Sequence, residues 1–126
     1  MTTFDQPSPP NFRQWEICQV VWVHEDGTSK ERPALILSSS AACAASNDLW
    51  VAKFTKTNLG VPFQIEFHRS DPSFRSTGLT DICFLYIHLA RKIPKSAFLY
   101  HRGDLSILSA ALMGFSIKQA LKFQIP

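Results

Sequence analysis

Cysteine is scarce in this chain of 126 residues, which has three, at Cys18, Cys43 and Cys83. An odd and scattered set implies no disulfide framework, and no two of them have the spacing of metal ligands. The plain interpretation is that they are thiols buried in a reduced, cytoplasmic protein.

Long apolar runs are also absent. Residues 82–90 form one of the longest, and they fall well short of the roughly 20 residues that a membrane helix needs. The N-terminus carries Asp5 and several prolines, without the basic start and apolar block of a signal peptide. We therefore expect a cytoplasmic protein with no membrane partner.

Familiar catalytic motifs are missing as well. The sequence has no glycine-rich phosphate loop, no pair of histidines at metal-binding spacing and no nucleophile elbow. The histidines stand apart from one another, and each is interpreted as a surface or structural residue: His24, His68, His88 and His101. We predict no cofactor and no metal site.

The charge is mildly basic overall but unevenly distributed. The net charge is +3, from 13 Lys and Arg against 10 Asp and Glu. Residues 53–102 carry eight basic and three acidic side chains, whereas residues 1–31 have a balance of −3. If the fold gathers the eight basic groups on one side, they form a phosphate-attracting surface. If it spreads them, they only keep the protein in solution.

Hydrophobic patterning predicts a series of short strands followed by one helix. Residues 1–16 are polar and proline-rich and are predicted to be a flexible arm, with a single domain at 17–126. Strands are predicted at 20–23, 32–38, 49–54, 63–68 and 82–88, with a shorter one near 92–96. Residues 39–47 are a loop or one helical turn. Apolar residues at helical spacing begin after Asp104: Leu105, Leu108, Leu112 and Phe115. The predicted class is mainly β, a small antiparallel barrel with a C-terminal helix.

Two strand-end positions have chemistry that suits a phosphodiester. Arg32 stands at the end of the loop before the second strand, and Thr55 directly follows the third. An arginine offers a planar fork of donors that matches phosphate, and a threonine hydroxyl can add one more donor. The alternative is a surface arginine and a turn threonine with no joint role.

Several stretches follow one another in a familiar order: QVVWV at 19–23, RPALILS at 32–38, Thr55, and GVPF at 60–63. Looser similarity continues through GLTD at 78–81, ARKI at 90–93 and the final amphipathic segment. This order resembles the PemK/MazF family of toxins from bacterial toxin–antitoxin systems. The resemblance implies an SH3-like barrel with a C-terminal helix that forms a homodimer, and a cognate antitoxin as partner.

The resemblance also implies an activity, the metal-independent cleavage of single-stranded RNA at short sequences. Arg32 and Thr55 match the family's catalytic pair. The RNA's own 2′-hydroxyl can then attack the adjacent phosphorus, with Arg32 stabilising the charge on its oxygens. No family motif identifies a proton carrier; His24 lies near the same loop end, and histidine is a common general acid or base. The predicted substrate-binding residues are Lys30, Lys53, Lys56 and Arg91.

Some positions depart from the family pattern. Cys18 stands where the first strand usually opens with glycine, and Lys53 stands where a proline often precedes the catalytic threonine by two. Glu31 directly precedes Arg32, and its carboxylate could compete with phosphate for the guanidinium. Two alternatives therefore stay open: a catalytically degenerate relative that only binds protein partners, and a gyrase-directed toxin of the same fold.

Overall fold

The computed structural model describes residues 7–57, 60, 64–67, 77–79, 83–86 and 90–105. These residues form strands, one short helix and a 3₁₀ turn at Lys95–Ala97. In chain order the elements are β1 (Glu16–Val23), β2 (Ser29–Ile36), α1 (Ser40–Ala45), β3 (Asp48–Thr55), β4 (Gln64–Phe67), β5 (Cys83–Tyr86), β6 (Arg91–Pro94) and β7 (Phe98–Asp104). The predicted mainly β class is confirmed. The helix predicted after Asp104 lies outside the described residues.

The strands pair antiparallel in the order β4-β5-β3-β2-β1-β7. One edge of β3 pairs with β2, and two strands share the opposite edge. There, β6 pairs with the first half of β3, from Asp48 to Val51, and β5 pairs with its end, at Phe54 and Thr55. Within the described strands, β7 pairs with β1 alone, so these pairings leave the sheet open. The expected closure into a barrel is therefore not seen among the described strands, whereas the antiparallel pairing is as expected.

The hairpin between β1 and β2 is held by its own turn. The Asp26 side chain accepts hydrogen bonds from the backbone N–H of Thr28 at 2.9 Å and from its hydroxyl at 2.6 Å. Gly27 takes a φ of 87°, which suits glycine in a tight turn. Register is then continuous from the Val23–Ser29 pair to the Ile17–Leu35 pair. This hairpin fixes which side chains of the two strands share a face.

Element boundaries differ from the predicted ones at the start of β1, which begins four residues early at Glu16, and at the start of β2. β2 begins at Ser29, three residues early, so Pro33 lies inside the strand. β3 pairs with β2 only from Ala34 onward, which leaves Pro33 where one edge of β2 is unpaired and a proline is tolerated. The segment 39–47 contains a short helix, whose start is capped by Ser39 accepting from the Ala42 N–H at 3.1 Å.

Alternation along the strands divides the core between the two faces of the sheet. One cluster is Ile17, Leu35, Leu37, Ala52, Phe54, Leu79, Leu85 and Leu105. The other is Cys18, Val20, Trp22, Ala34, Ile36, Cys43, Leu49, Val51, Ile93 and Phe98. Cys18 and Cys43 are buried free thiols, as expected, and burial raises the pKa of both. None of the helices in the described ranges is long and apolar enough to cross a membrane.

Part of the N-terminal segment contacts the sheet. The Trp15 N–H donates to the Ile36 carbonyl at 2.9 Å, and the Phe12 ring meets the Phe98 ring edge-on at 5.3 Å between centroids. The His101 N–H donates to the Ser8 carbonyl at 2.8 Å. The predicted boundary between an arm at 1–16 and a domain at 17–126 stays a prediction. The contacts above are made by residues within 8–15, on the arm side of that boundary.

Glu16 is a fully buried carboxylate at the start of β1. It accepts hydrogen bonds from the backbone N–H groups of Asn11 at 2.9 Å and Arg13 at 3.3 Å, and Nδ1 of His101 lies 2.7 Å from its Oε2. Burial alone would raise the pKa of Glu16. The hydrogen bonds, led by the Asn11 N–H and the His101 ring, outweigh burial and hold that pKa below its ordinary value.

Glu16 should make the protein sensitive to acid. Because its pKa is lower in the folded than in the unfolded chain, its contribution is complete above the unfolded pKa of about 4.3 and is lost as the pH falls through the folded pKa. We expect Glu16→Gln to lower the free energy of unfolding at pH 7 by about 2 kcal/mol and to weaken the acid dependence of stability. Urea denaturation across pH measures both, with the exposed Glu25→Gln as control. A Glu16→Gln curve that matches wild type at pH 7 would contradict this.

Candidate functional site

One face of the sheet changes from apolar to basic along its length. In β2, the side chains on this face change from Lys30 and Arg32 to Ala34. In the antiparallel β3 they change in the opposite sense, from Val51 to Lys53. Since Ala34 pairs with Lys53, the basic ends of the two strands meet at the same end of the sheet. The apolar ends belong to the core cluster that contains Trp22.

A groove of about 850 Å³ opens at this basic end. Its lining comes from β1, the hairpin turn, β2, β3 and the start of β6: Trp22, His24, Glu25, Asp26, Thr28, Lys30, Arg32, Lys53, Ala90 and Arg91. The four basic residues come from three strands, and the two carboxylates come from the turn. The groove therefore has a basic interior and an acidic rim on one side.

Trp22 is the aromatic base of this groove and is almost completely buried. The Arg91 guanidinium lies 4.1 Å from the indole centroid, and the Lys53 ammonium lies 5.4 Å from it. The Arg91 side chain is further fixed by donating to the Val23 carbonyl at 2.6 Å. Contacts of a cation with an indole contribute about 0.5–1 kcal/mol when exposed and more when desolvated. Trp22 thus contacts two cations of the groove with one ring.

The electrostatics of the groove act on Lys53 in particular. Its side chain is half-buried, and burial, followed by the positive charges of Arg32 and Arg91, lowers the pKa of its ammonium. At the rim, hydrogen bonds from Thr28 lower the pKa of the exposed Asp26. The interior of the groove therefore suits an anion that would relieve the repulsion among its cations.

Arg32 keeps its guanidinium available for a ligand. The side chain is half-buried, and it donates one long hydrogen bond, 3.4 Å to the backbone carbonyl of Glu31. Glu31 pairs with Val21 and so points to the opposite face of the sheet from Arg32, which pairs with Val20. Among the described residues the Glu31 carboxylate makes no ion pair with Arg32. The competition that the sequence suggested is therefore not seen.

Thr55 ends β3 on the same face as Lys53 and pairs with Phe84 of β5. The ladder between β2 and β3 ends at Ala34 and Lys53, and continuing its register by two residues sets Arg32 opposite Thr55. The Thr55 hydroxyl accepts a hydrogen bond from the Thr57 N–H at 3.3 Å. Thr55 lies beside the groove at the end of β3 and is not part of its lining.

The predicted site residues are thus brought together in part. The groove lining includes Lys30, Arg32, Lys53 and Arg91, and it includes neither Thr55 nor Lys56. Sequence reasoning did not assign Trp22 to the site. One feature of the sequence could have indicated this role: Trp22 stands just before the turn that leads to the RPA motif, two residues before His24. A tryptophan in a strand is equally typical of a hydrophobic core, so this feature alone does not assign Trp22 to a site.

Comparison with known proteins places this geometry in a known architecture. No protein-family model matches the chain, and no curated protein sequence matches it. Among solved structures, the Mycobacterium tuberculosis toxin MazF-mt6 superposes with a TM-score of 0.66 at 20% identity, covering 85% of this chain and 96% of that one. The chain has the MazF fold. The resemblance to PemK/MazF toxins that the motifs indicated is confirmed by this structural similarity.

Other structures with the MazF fold agree. An endoribonuclease in complex with its cognate antitoxin, from a mycobacterial species, gives a TM-score of 0.66 at 16% identity, covering 90% of this chain and 98% of that one. The MazE–MazF structure (Form-III) from Deinococcus radiodurans gives a TM-score of 0.65 at 16% identity, covering 87% of this chain and 95% of that one. At these identities the similarity establishes the fold alone, so activity has to be argued from the groove.

Proposed function

We propose that this protein is a metal-independent, sequence-specific endoribonuclease, the toxin of a toxin–antitoxin system. The observation that carries the proposal is the basic groove on one face of a MazF fold, where Arg32, Lys53 and Arg91 come together around Trp22. Several cations that line one shared space are typical of a phosphodiester site.

The proposed reaction needs no bound metal or cofactor. The 2′-oxygen of the substrate attacks the adjacent phosphorus, the bond from phosphorus to the 5′-oxygen breaks, and a 2′,3′-cyclic phosphate is left. Negative charge builds on the non-bridging oxygens in the transition state. The planar fork of Arg32 can donate two hydrogen bonds to them, and the Thr55 hydroxyl can donate a third. DNA, which lacks the 2′-hydroxyl, would not be a substrate.

The remaining cations bind and position the strand. Lys30 and Arg91 flank the groove from β2 and β6 and would contact phosphates on either side of the scissile one. Lys56, which follows β3, would extend this track beyond Thr55. Binding through several phosphate contacts should weaken steeply as salt concentration rises.

An antitoxin is the proposed protein partner. The mycobacterial endoribonuclease named above is bound to its cognate antitoxin, and the Deinococcus MazF is bound to MazE. A basic groove would accept an extended, acidic segment of such a protein and lose access to RNA. We further propose that the protein is a cytoplasmic homodimer, in keeping with the family that it resembles.

The direct test is incubation of the purified protein with mixed-sequence single-stranded RNA in EDTA. We expect cuts at a small set of sites that share a short sequence, each leaving a cyclic phosphate. Mapping these ends also supplies the substrate for the experiments below. Intact RNA after incubation with a folded protein would contradict the proposed function.

A further inference from the structure

We propose that Lys53 is the general acid of the cleavage and protonates the 5′-oxygen as it leaves phosphorus. This inference rests on the proposed endoribonuclease function and deepens it, because that function names the groups that stabilise charge and leaves the proton carrier unassigned. Where the related toxins often carry a proline, this chain has an ammonium group inside the groove.

The position of Lys53 suits contact with the reacting phosphate. It occupies the same face of β3 as Thr55, two residues before it, and it pairs with Ala34, two residues after Arg32 on β2. Lys53 therefore stands next to both groups that are proposed to hold the phosphate. Its Nζ lies over the Trp22 ring, which limits where the ammonium can point.

The surroundings of Lys53 favour release of its proton. Burial and the positive charges of Arg32 and Arg91 lower the pKa of Lys53, so the ammonium is a better proton donor than a lysine in water. The charged or titratable residues that line the groove around it come from the turn, β2 and β6: His24, Glu25, Asp26, Lys30, Arg32 and Arg91. The carboxylates among them lie at the turn.

The other groove residues are less suited to the task. Arginine keeps its proton throughout the range in which proteins are folded, so Arg32 and Arg91 can donate hydrogen bonds but not a proton. His24 lies in the hairpin turn beyond the end of β1, two residues from Trp22, whereas Lys53 lies on the same face as Arg32 and Thr55, one pair further along the register, where it pairs with Ala34. Lys30, the other lysine of the groove lining, is exposed, whereas Lys53 is half-buried and also lies two residues from Thr55 on the same strand.

The step balances in atoms and charge. The bond from the 2′-oxygen to phosphorus forms as the bond from phosphorus to the 5′-oxygen breaks, and the 2′-hydroxyl proton passes to water. The Lys53 ammonium gives one proton to the departing 5′-oxygen, which leaves as a hydroxyl, and the neutral amine then regains a proton from solvent. No oxidant, reductant or further reactant is consumed.

Changing the leaving atom tests this role. Two oligonucleotides carry the bond that wild type cuts, one with the natural 5′-oxygen and one with sulfur in its place. A thiolate is stable near neutral pH, whereas an alkoxide is not, so the sulfur substrate needs no general acid. We expect Lys53→Met to slow single-turnover cleavage of the oxygen substrate about 100-fold or more, and that of the sulfur substrate by less than about threefold.

Two further variants separate the chemistry from charge and folding. Lys53→Arg keeps the positive charge but cannot release a proton. We therefore expect the RNA concentration at half-saturation to stay near that of wild type, while the oxygen substrate is cut as slowly as by Lys53→Met. Lys92→Met is the matched control, because Lys92 also lies over a tryptophan, Trp50, at 5.8 Å, but on the other face of the sheet. It should cut both substrates like wild type.

The outcomes distinguish the two proposals. If wild type cuts RNA and Lys53→Met slows both substrates equally, or neither, the general-acid role is overturned and the endoribonuclease stands. If wild type cuts no RNA at all, the proposed function fails and the role of Lys53 fails with it. Melting temperatures of the Lys53 and Lys92 variants show that each protein compared is folded.

Discussion

Arg32→Ala should abolish nearly all RNA cleavage, lowering the single-turnover rate by about 10³-fold. The guanidinium stands at the basic end of the sheet, half-buried and without an ion pair to its neighbour Glu31 among the described residues. A group of this kind stabilises charge that develops mainly in the transition state, so its loss should affect the rate far more than substrate binding. Rates measured with enzyme in excess separate the two effects.

Two arginine variants sharpen that result. Arg32→Lys keeps a positive charge but loses the planar fork, and we expect a rate between those of wild type and Arg32→Ala. Arg13→Ala is the control for losing an arginine, because Arg13 pairs with Asp104 at 3.3 Å and is not part of the groove lining. It should cut RNA like wild type. Equal rates for Arg32→Ala and Arg13→Ala would remove Arg32 from the mechanism.

Gly78→Ala should be the most destabilising small substitution in the described chain. Gly78 has a φ of 69°, and a Cβ built on it would lie 2.0 Å from the backbone oxygen of Arg102, a contact that no real structure tolerates. The same Arg102 side chain donates to the Gly78 carbonyl at 2.9 Å and to Gln19 Oε1 at 2.8 Å, joining this segment to β1. We expect a loss of about 3 kcal/mol in the free energy of unfolding, or on the order of 10 °C in melting temperature.

Gly27→Ala provides a matched control for that prediction. Gly27 also has a positive φ, 87°, but a Cβ there would meet nothing within 4 Å. Gly27→Ala should therefore lower the free energy of unfolding only by the strain of a positive φ at alanine, about 1 kcal/mol. Chemical denaturation of the two variants measures the difference, which isolates the clash with Arg102. Equal destabilisation of both would show that the close approach of Gly78 to β7 is wrong.

Much of the sheet could be predicted from local patterns, and β7 could not. The β-branched run of β1 and the apolar residues of β3 are visible in the sequence; β3 extends one residue beyond each predicted bound, whereas β1 begins four residues before its predicted start. β7, FLYHRGD, mixes apolar and charged residues, and its pairing with β1 shifts register twice, so no period of two survives in it. Its partly buried polar residues are explained by partners distant in sequence, such as Glu16 for His101.

The site shows the same division between local and distant information. The donor chemistry of Arg32 and its position near the start of a strand are local features, and both indicate a phosphate site from the sequence alone. The convergence of Lys53 and Arg91 on one indole depends on β3 pairing with β2 on one edge and β6 on the other. Sequence spacing does not encode that pairing, so local patterns identify Trp22 only as a strand residue.

The most direct test compares two oligonucleotides in EDTA that differ by one oxygen atom. Both contain the bond that the protein cuts in mixed RNA, and one lacks the 2′-hydroxyl of the nucleotide on the 5′ side of that bond. If the groove catalyses attack by this hydroxyl, the protein cuts the all-RNA strand to a cyclic phosphate and leaves the same bond of its 2′-deoxy counterpart intact. Cleavage of both strands at that bond, or of neither, would contradict the proposed function.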